Sequence, residues 1–384
     1  MPPLSTLTAG FIAVLVGYTG SAAIIFQAAQ SAGASQAMIA SWMGALGIAM
    51  GLTTIGLSLR YRAPVITAWS TPGAAILVVA LVGVDVSQAI GAFLFCAVLI
   101  LLFGITGWFE KLMSVIPISI ASALLAGVLA RFGMDVFVMM ESDFVLVLLM
   151  FLTYLVFKRL LPVYSIIIVF GVSILVSYLL GGLETQTIEW KVTEPVWVTP
   201  VFDWQVLVGV GIPLFIVTMA SQNVPGVTVL KTSGYDVPVS PVISWTGVAT
   251  FLLAPFGCFA INLAAITAAI CTGESCHPDK DKRFYAGLSA GTIYILSGIF
   301  AASIVSLFAA FPKAMVLALA GIALFSTIAN SLQVAMSEAH TRDPAIITFL
   351  ITLSGMNLFG IGSAFWALIG GGLAMLILNF RSKA

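Results

Sequence analysis

The chain has 384 residues, 61% of them hydrophobic and 8% charged, whereas an ordinary soluble domain is roughly 45–50% apolar and about 25% charged; that imbalance excludes a water-soluble core. Its 15 basic and 15 acidic residues balance to a formal charge of zero, which leaves no basic face for nucleic acid and no polybasic segment for anionic lipid. What remains is an all-α integral membrane protein whose main surroundings are the lipid bilayer.

A spanning helix needs about 20 mainly apolar residues. The polar punctuation predicts about fourteen segments, near 6–28, 37–58, 64–82, 87–108, 113–131, 143–158, 163–182, 204–223, 240–256, 258–271, 284–302, 313–332, 344–358 and 361–379. Twelve longer helices is the alternative count. No positive stretch precedes the first segment, so it reads as a retained helix and not as a cleaved signal. Tyr18 lies midway along it, and a buried tyrosine needs a hydrogen-bond partner. In the second segment Gly47-x-x-x-Gly51 suits close helix packing.

The third segment is interrupted by Trp69-Ser70-Thr71-Pro72-Gly73. Proline fixes its own φ and biases the residue before it away from helix, so Thr71 is expected to be extended and Pro72 to open a half-helix. The polar stretch 184–203, with Glu184, Glu189 and Glu194 around Lys191, forms the main loop between two halves. Segment eight ends in Ser221-Gln222-Asn223, three hydrogen-bonding side chains that are costly in hydrocarbon unless they meet partners, a cavity or interfacial water. The tenth segment repeats the break at Pro255-Phe256-Gly257, with Phe259 beyond it and Asn262 placed to cap a second half-helix. The loop after it carries Cys276 and His277, but Cys271-Thr-Gly-Glu-Ser-Cys276-His277 lacks zinc spacing and a second ligand pair. All four cysteines are expected to be free thiols, and no metal or cofactor is predicted.

Cytoplasmic loops carry the excess of Lys and Arg. With fourteen spans and both termini cytoplasmic, 12 of the 15 basic residues fall inside, Lys111, Arg381 and Lys383 among them, and only Arg131, Lys191 and Lys313 fall outside. An inner (plasma) membrane of bacterial type is the implied location. Fourteen spans divide into inverted repeats of seven: 1–182, an outer loop 183–203, and 204–384. Thr71-Pro72-Gly73-Ala74-Ala75-Ile76 aligns with Ile261-Asn262-Leu263-Ala264-Ala265-Ile266, each midway through the third segment of its half.

Two half-helix N-termini near mid-membrane present unpaired N–H groups and partial positive charge, which hold an anionic group without a buried Lys or Arg. No ionisable residue lies deep in any predicted span. The predicted solute site is therefore polar but uncharged, formed by Ser70, Thr71, Gly73, Ser221, Gln222 and Asn262 with aromatic walls from Tyr18, Trp69 and Phe259. The competing structural reading is a proline kink, interhelical hydrogen bonds and aromatic core packing.

The runs Thr67-Ala68-Trp69-Ser70-Thr71-Pro72-Gly73-Ala74-Ala75, Met219-Ala220-Ser221-Gln222-Asn223, Gly234-Tyr235-Asp236-Val237-Pro238, Asn262-Leu263-Ala264-Ala265-Ile266 and His277-Pro278-Asp279-Lys280-Asp281 resemble the bacterial benzoate/proton symporter family of the BenE type over nearly the whole chain. The resemblance implies proton-coupled uptake of benzoate or a related aromatic carboxylate by alternating access, either as an elevator or by rocking. It also implies a distant likeness to nucleobase transporters, with a core from 1–111 and 204–312 and a gate from 112–182 and 313–384, and short strands before the half-helices of segments three and ten. The nucleobase family has an acidic residue in segment eight where Ser221 and its neighbours stand here, so the coupling residue stays unassigned: Asp236, Glu274 or His277 at the cytoplasmic gate, or the solute's own proton. The alternatives are another small aromatic or nucleobase-like solute, or a channel, although a channel needs a continuous polar pore lining. No His, Asp, Glu or Cys constellation within the spans suits an enzyme. Apolar gate surfaces leave a homo-oligomer open.

Overall fold

The computed structural model describes residues 2–108, 117–183, 190–359 and 361–378. Lys111, Glu184, Glu189, Arg381 and Lys383 of the charge analysis lie outside them, as does the expected core–gate boundary at 111 and 112. The first seven segments are α1 (Leu4–Ser31), α2 (Gln36–Tyr61), strand β1 (Thr67–Trp69) leading into α3 (Thr71–Ala80), α4 (Val86–Thr106), α5 (Ile118–Ser142), α6 (Phe144–Leu160) and α7 (Ser165–Leu179). The second seven begin with α8 (Trp204–Thr232). They continue as α9 (Val239–Leu253), β2 (Ile261–Leu263) leading into α10 (Ile266–Thr272), α11 (Phe284–Ile299), α12 (Lys313–Ala335), α13 (Arg342–Ser354) and α14 (Ser363–Leu378). A short helix, Ala301–Ala309, turns away from α11 by 66° and connects it to α12.

Segment five differs most from its predicted range. It begins at Ile118 and runs to Ser142, so Arg131 and Asp135 lie well inside a span. The expectation that no charged residue lies deep in a span is therefore corrected. Arg131 had marked an end, but the run beyond it remains apolar enough to continue the helix.

The helices pack in two groups. α2 lies along α11 and α4 along α9, with α1 against α3, α10 and α11. Separately, α5 lies against α12 and α13, α6 against α7, and α13 against α14. The α2–α11 seam depends on glycine: a Cβ on Gly47 would come within 2.7 Å of the Gly298 Cα. Gly47 and Gly51 are therefore packing residues, as their spacing indicates.

At the centre, β1 and β2 pair antiparallel, with Thr67 opposite Leu263, Ala68 opposite Asn262 and Trp69 opposite Ile261. This pairing sets the true register of the repeat: Thr67–Trp69 matches Ile261–Leu263, so the alignment of Thr71 with Ile261 was four residues out. Asn262 is also not a cap. It lies within β2, and α10 begins at Ile266 after Ala265, with no side-chain cap.

Among the described residues the outer edges of this buried pair meet no third strand, so side chains close them. On the β1 side, α2 accepts from Val65 N through Ser58 Oγ (3.1 Å), from Thr67 N through Thr54 Oγ1 (3.0 Å) and from Trp69 N through Met50 Sδ (3.0 Å). On the β2 side, Thr250 Oγ1 of α9 accepts from Ile261 N (3.1 Å), and Asn223 Oδ1 of α8 accepts from Leu263 N (2.9 Å).

Two further features tie the core. The extended segment 190–203 crosses the helix ends, where Thr193 N donates to Ile299 O, Val196 N to Ser41 Oγ, Val198 N to Pro255 O and Val201 N to Ser87 O. At the opposite face, buried Arg283 donates to Thr272 O (2.7 Å), His277 O (2.6 Å) and Pro278 O (3.3 Å), fastening the end of α10 to the loop that follows. Tyr235 Oη donates to Lys280 O (3.0 Å), and the Lys280 ammonium bonds Gly234 O, so the two loops clasp each other. Burial pushes the Tyr235 phenol up to about 12 and the neighbouring Cys276 thiol up to about 11.

Thr250→Val keeps the shape of the side chain and leaves Ile261 N–H without an acceptor, at a cost of about 1–3 kcal/mol. The melting temperature of the purified protein in detergent should fall by a few degrees. Thr292→Val, at an exposed hydroxyl that donates only to Leu288 O, should leave it unchanged.

Candidate functional site

Between the two helix groups lies a cavity of about 720 Å³. The first group supplies Gly17 and Ser21 of α1, Trp69, Thr71 and Pro72 of the third segment, Gln222 of α8, Ala265–Thr267 of the tenth segment and Tyr294 of α11; the second supplies Leu129, Tyr154, Lys158, Ile166, Ser326 and Thr327.

The two half-helix ends that open onto it are unlike. At α3, Ser70 Oγ accepts from Gly73 N (3.0 Å), Ser70 O accepts from Ala74 N (2.7 Å), and Pro72 has no N–H. Only the Thr71 N–H remains. The half-helix opens at Thr71, one residue earlier than expected, because Ser70 takes the capping position. At α10 no side chain caps the end, and the N–H groups of Ile266, Thr267 and Ala268 have no partner among the described residues. The Thr267 hydroxyl is buried beside the Tyr294 phenol but outside bonding geometry with it, and is likewise unpaired. One end is open and the other nearly closed, where both were expected to present unpaired N–H groups.

Trp69 presents a ring to the cavity while its indole N–H donates to Ser21 Oγ at 2.8 Å. Tyr18 stands edge-on to Trp69 at 4.7 Å and 6.2 Å from the Tyr294 ring, backing the two aromatic walls. Its buried hydroxyl makes no hydrogen bond, with Ser297 near but outside bonding geometry.

Of the residues singled out in sequence, Trp69, Thr71 and Gln222 line the cavity together. Gln222 and Ser221 sit in a turn of α8, Met219–Asn223, that widens to i→i+5 bonding, a distortion frequent at functional sites. Ser221 is not among the residues that line the cavity. Ser70 is a cap and accepts from Thr218 Oγ1 at 2.9 Å. Gly73 makes room for Leu214, whose Cδ1 would be 2.6 Å from an added Cβ. Phe259 is fully buried against Phe93, at 5.9 Å between ring centres, and belongs to the core. Asn262 is fully buried in the sheet; its Nδ2 donates to Ala260 O at 3.3 Å, and its Oδ1 is unpaired.

Sequence reasoning missed Thr267, Tyr294 and Lys158. Lys158 donates to Ser326 Oγ at 2.9 Å, joining α6 to α12 at the edge of the cavity. Thr267 was detectable as a threonine at the start of a half-helix. Tyr294 and Lys158 carried no local signal beyond an apolar run and an inner-loop charge. No Asp, Glu or His lines the cavity among the described residues, and no three His, Cys, Asp or Glu side chains gather among them as metal ligands.

A family model described as Benzoate membrane transport protein matches residues 2–377. The chain is 48% identical to the Inner membrane protein YdcO of Escherichia coli (strain K12), over 98% of this chain and 96% of that one. It is 41% identical to the Benzoate membrane transport protein of Acinetobacter baylyi (strain ATCC 33305 / BD413 / ADP1), over 98% of this chain and 95% of that one. Among solved structures, the transmembrane domain of the cyanobacterial bicarbonate transporter BicA superposes with a TM-score of 0.64 at 14% identity, covering 96% of this chain and 97% of that domain. Murine Slc26a9 in the inward-facing state superposes with a TM-score of 0.62 at 13% identity, covering 100% of this chain and 69% of that one. These likenesses show the fold, an inverted repeat of core and gate, and nothing about the solute. With the family model spanning almost every residue and two relatives above 40% identity, the chain belongs to the benzoate membrane transport family and is a multi-pass membrane transporter, not an enzyme.

Proposed function

We propose that the protein takes up benzoate or a closely related aromatic carboxylate across the inner membrane, together with protons, by alternating access of a core against a gate. The observation that carries this reading is a cavity with two aromatic walls, Trp69 and Tyr294, beside an uncapped helix start that offers free N–H groups and the Thr267 hydroxyl. Those are the two halves of an aromatic acid: a flat apolar ring and a planar anion. The carboxylate sits at the start of α10, Gln222 contributes its free amide, and the ring lies against Trp69 with Tyr18 behind it. Lys158 draws the anion to the cavity edge. The name carried by the Acinetobacter relative supports the same solute.

The core comprises 1–111 and 204–312 and the gate 112–182 and 313–384, joined by the outer loop 183–203; the separate packing of the two helix groups supports the division. Both termini are cytoplasmic, in keeping with the inner excess of basic residues. The cavity then opens inward. With no carboxylate or imidazole of the protein lining it among the described residues, the bound carboxylate itself takes up the transported proton, and the solute crosses as the neutral acid.

Uptake of labelled benzoate into proteoliposomes, with and without an inward proton gradient and with uracil as control, tests the function. Gradient-driven benzoate accumulation supports it; movement of uracil alone would reject the solute. Thr267→Val removes one hydroxyl at a cost of about 1 kcal/mol, and the half-saturation concentration should rise roughly fivefold. If neither Thr267→Val nor Gln222→Leu changes it, the carboxylate lies elsewhere. The pH profile provides the third test. Uptake should fall as pH rises above the solute's own pKa, ~4 for a simple carboxylic acid, and a more acidic ring-substituted benzoate should shift the profile down by its difference in pKa. A profile that stays fixed for both solutes points to a protein group, to be sought at Asp236, Glu274 and His277.

A further inference from the structure

Arg131 is a guanidinium well inside a membrane span, a placement that costs several kcal/mol unless the group has a use or a strong partner. Its partner is weak. Nε and Nη2 donate to Leu353 O at 3.2 and 2.7 Å, at the C-terminal end of α13. Gly355 ends that helix with φ +65, and a Cβ there would come within 1.9 Å of Nη2, so glycine alone lets the guanidinium lie on the helix end. No acidic group pairs with Arg131 within 4.0 Å among the described residues; Asp135, one turn along α5, acts on it only at longer range. A guanidinium has five N–H donors, and a neutral carbonyl occupies two.

Arg131 also lines a second pocket, of about 100 Å³, with Ile76, Gln205, Asn357 and Ser363. This pocket and the large cavity share one seam. α3 reaches the cavity at Thr71 and this pocket at Ile76 and beyond; α8 reaches this pocket at Gln205 and the cavity at Gln222. The small pocket is therefore the far end of the same boundary between helix groups, closed down to room for a few waters.

We propose that this pocket is the collapsed outer vestibule, and that Arg131 captures the carboxylate of the arriving aromatic acid when the seam opens on that side. The guanidinium exchanges the Leu353 carbonyl for the planar carboxylate, a bidentate charge-assisted pair that a carbonyl dipole cannot match. The Leu353 contact holds the side chain in place between cycles. The inference rests on the alternating-access reading above.

The test is benzoate exchange in proteoliposomes of defined orientation, varying benzoate on one face with the other face saturated. In R131Q the external half-saturation should rise about tenfold while the internal value stays within twofold. R131K keeps the charge but loses the fork, so its external value should rise about threefold with the internal one unchanged; it carries the test alone if R131Q does not assemble. An unchanged external value, or equal changes on both faces, overturns the capture role and leaves the transport function standing. A wild-type protein that exchanges no benzoate overturns the functional reading itself.

Discussion

Unwound backbone inside hydrocarbon must find a partner for every N–H and C=O that does not line a cavity, and the molecule is arranged around that demand. Each unmet group costs several kcal/mol, and segments three and ten each contain a stretch that cannot supply its own. Pairing β1 with β2 satisfies the inner edges. The outer edges are closed by Ser58, Thr54 and Met50 of α2 on one side and by Thr250 and Asn223 on the other. The positions of α2, α8 and α9 follow, because each must bring a side-chain acceptor within about 3 Å of a strand. The glycine contacts between α2 and α11 fix that geometry from behind.

The broken segments gain a pair of helix starts in mid-membrane without any charged side chain. Their difference gives the cavity a direction. Ser70 and Thr218 occupy the start of α3 with a hydrogen-bond chain of the protein's own, whereas nothing caps α10. In the proposed function an anion is thus drawn to the start of α10, with the Trp69 and Tyr294 rings beside it. The repeat supplies the symmetric frame, and single differences such as Ser70 at the cap of α3 against Ala265 at the cap of α10 make the site asymmetric.

Much of this was legible in the sequence because it rests on local chemistry. Pro72 marked one break, Pro255 and Gly257 the other, and Gly47 with Gly51 marked a helix seam. Gln222 stood out as a polar side chain without an evident reason to be in a span. What the sequence could not reveal depends on long-range pairing. The role of Asn262 follows from which face of a strand it occupies, and that of Phe259 from where the chain before that strand packs; both are set by a pairing between residues far apart in the chain. Arg131 was misread for a different reason: a single charge ends a hydrophobic segment on paper, but in the fold a helix end and a glycine accommodate it. Ser70 as a cap was within reach, since a serine just before a proline-led helix is an ordinary N-cap signal.

The pairing of Thr67 with Leu263 also has a consequence for how the protein is made. At about 5–20 residues per second of synthesis, the second strand follows the first by roughly ten to forty seconds. Throughout that interval β1 has one edge closed by α2 and the other facing nothing of its own chain. Lipid cannot satisfy it. Segment three must therefore wait in water or against the insertion machinery, and the bilayer receives it only when its partner from the second half arrives. Neither strand therefore has both edges paired until the second half of the chain has been made.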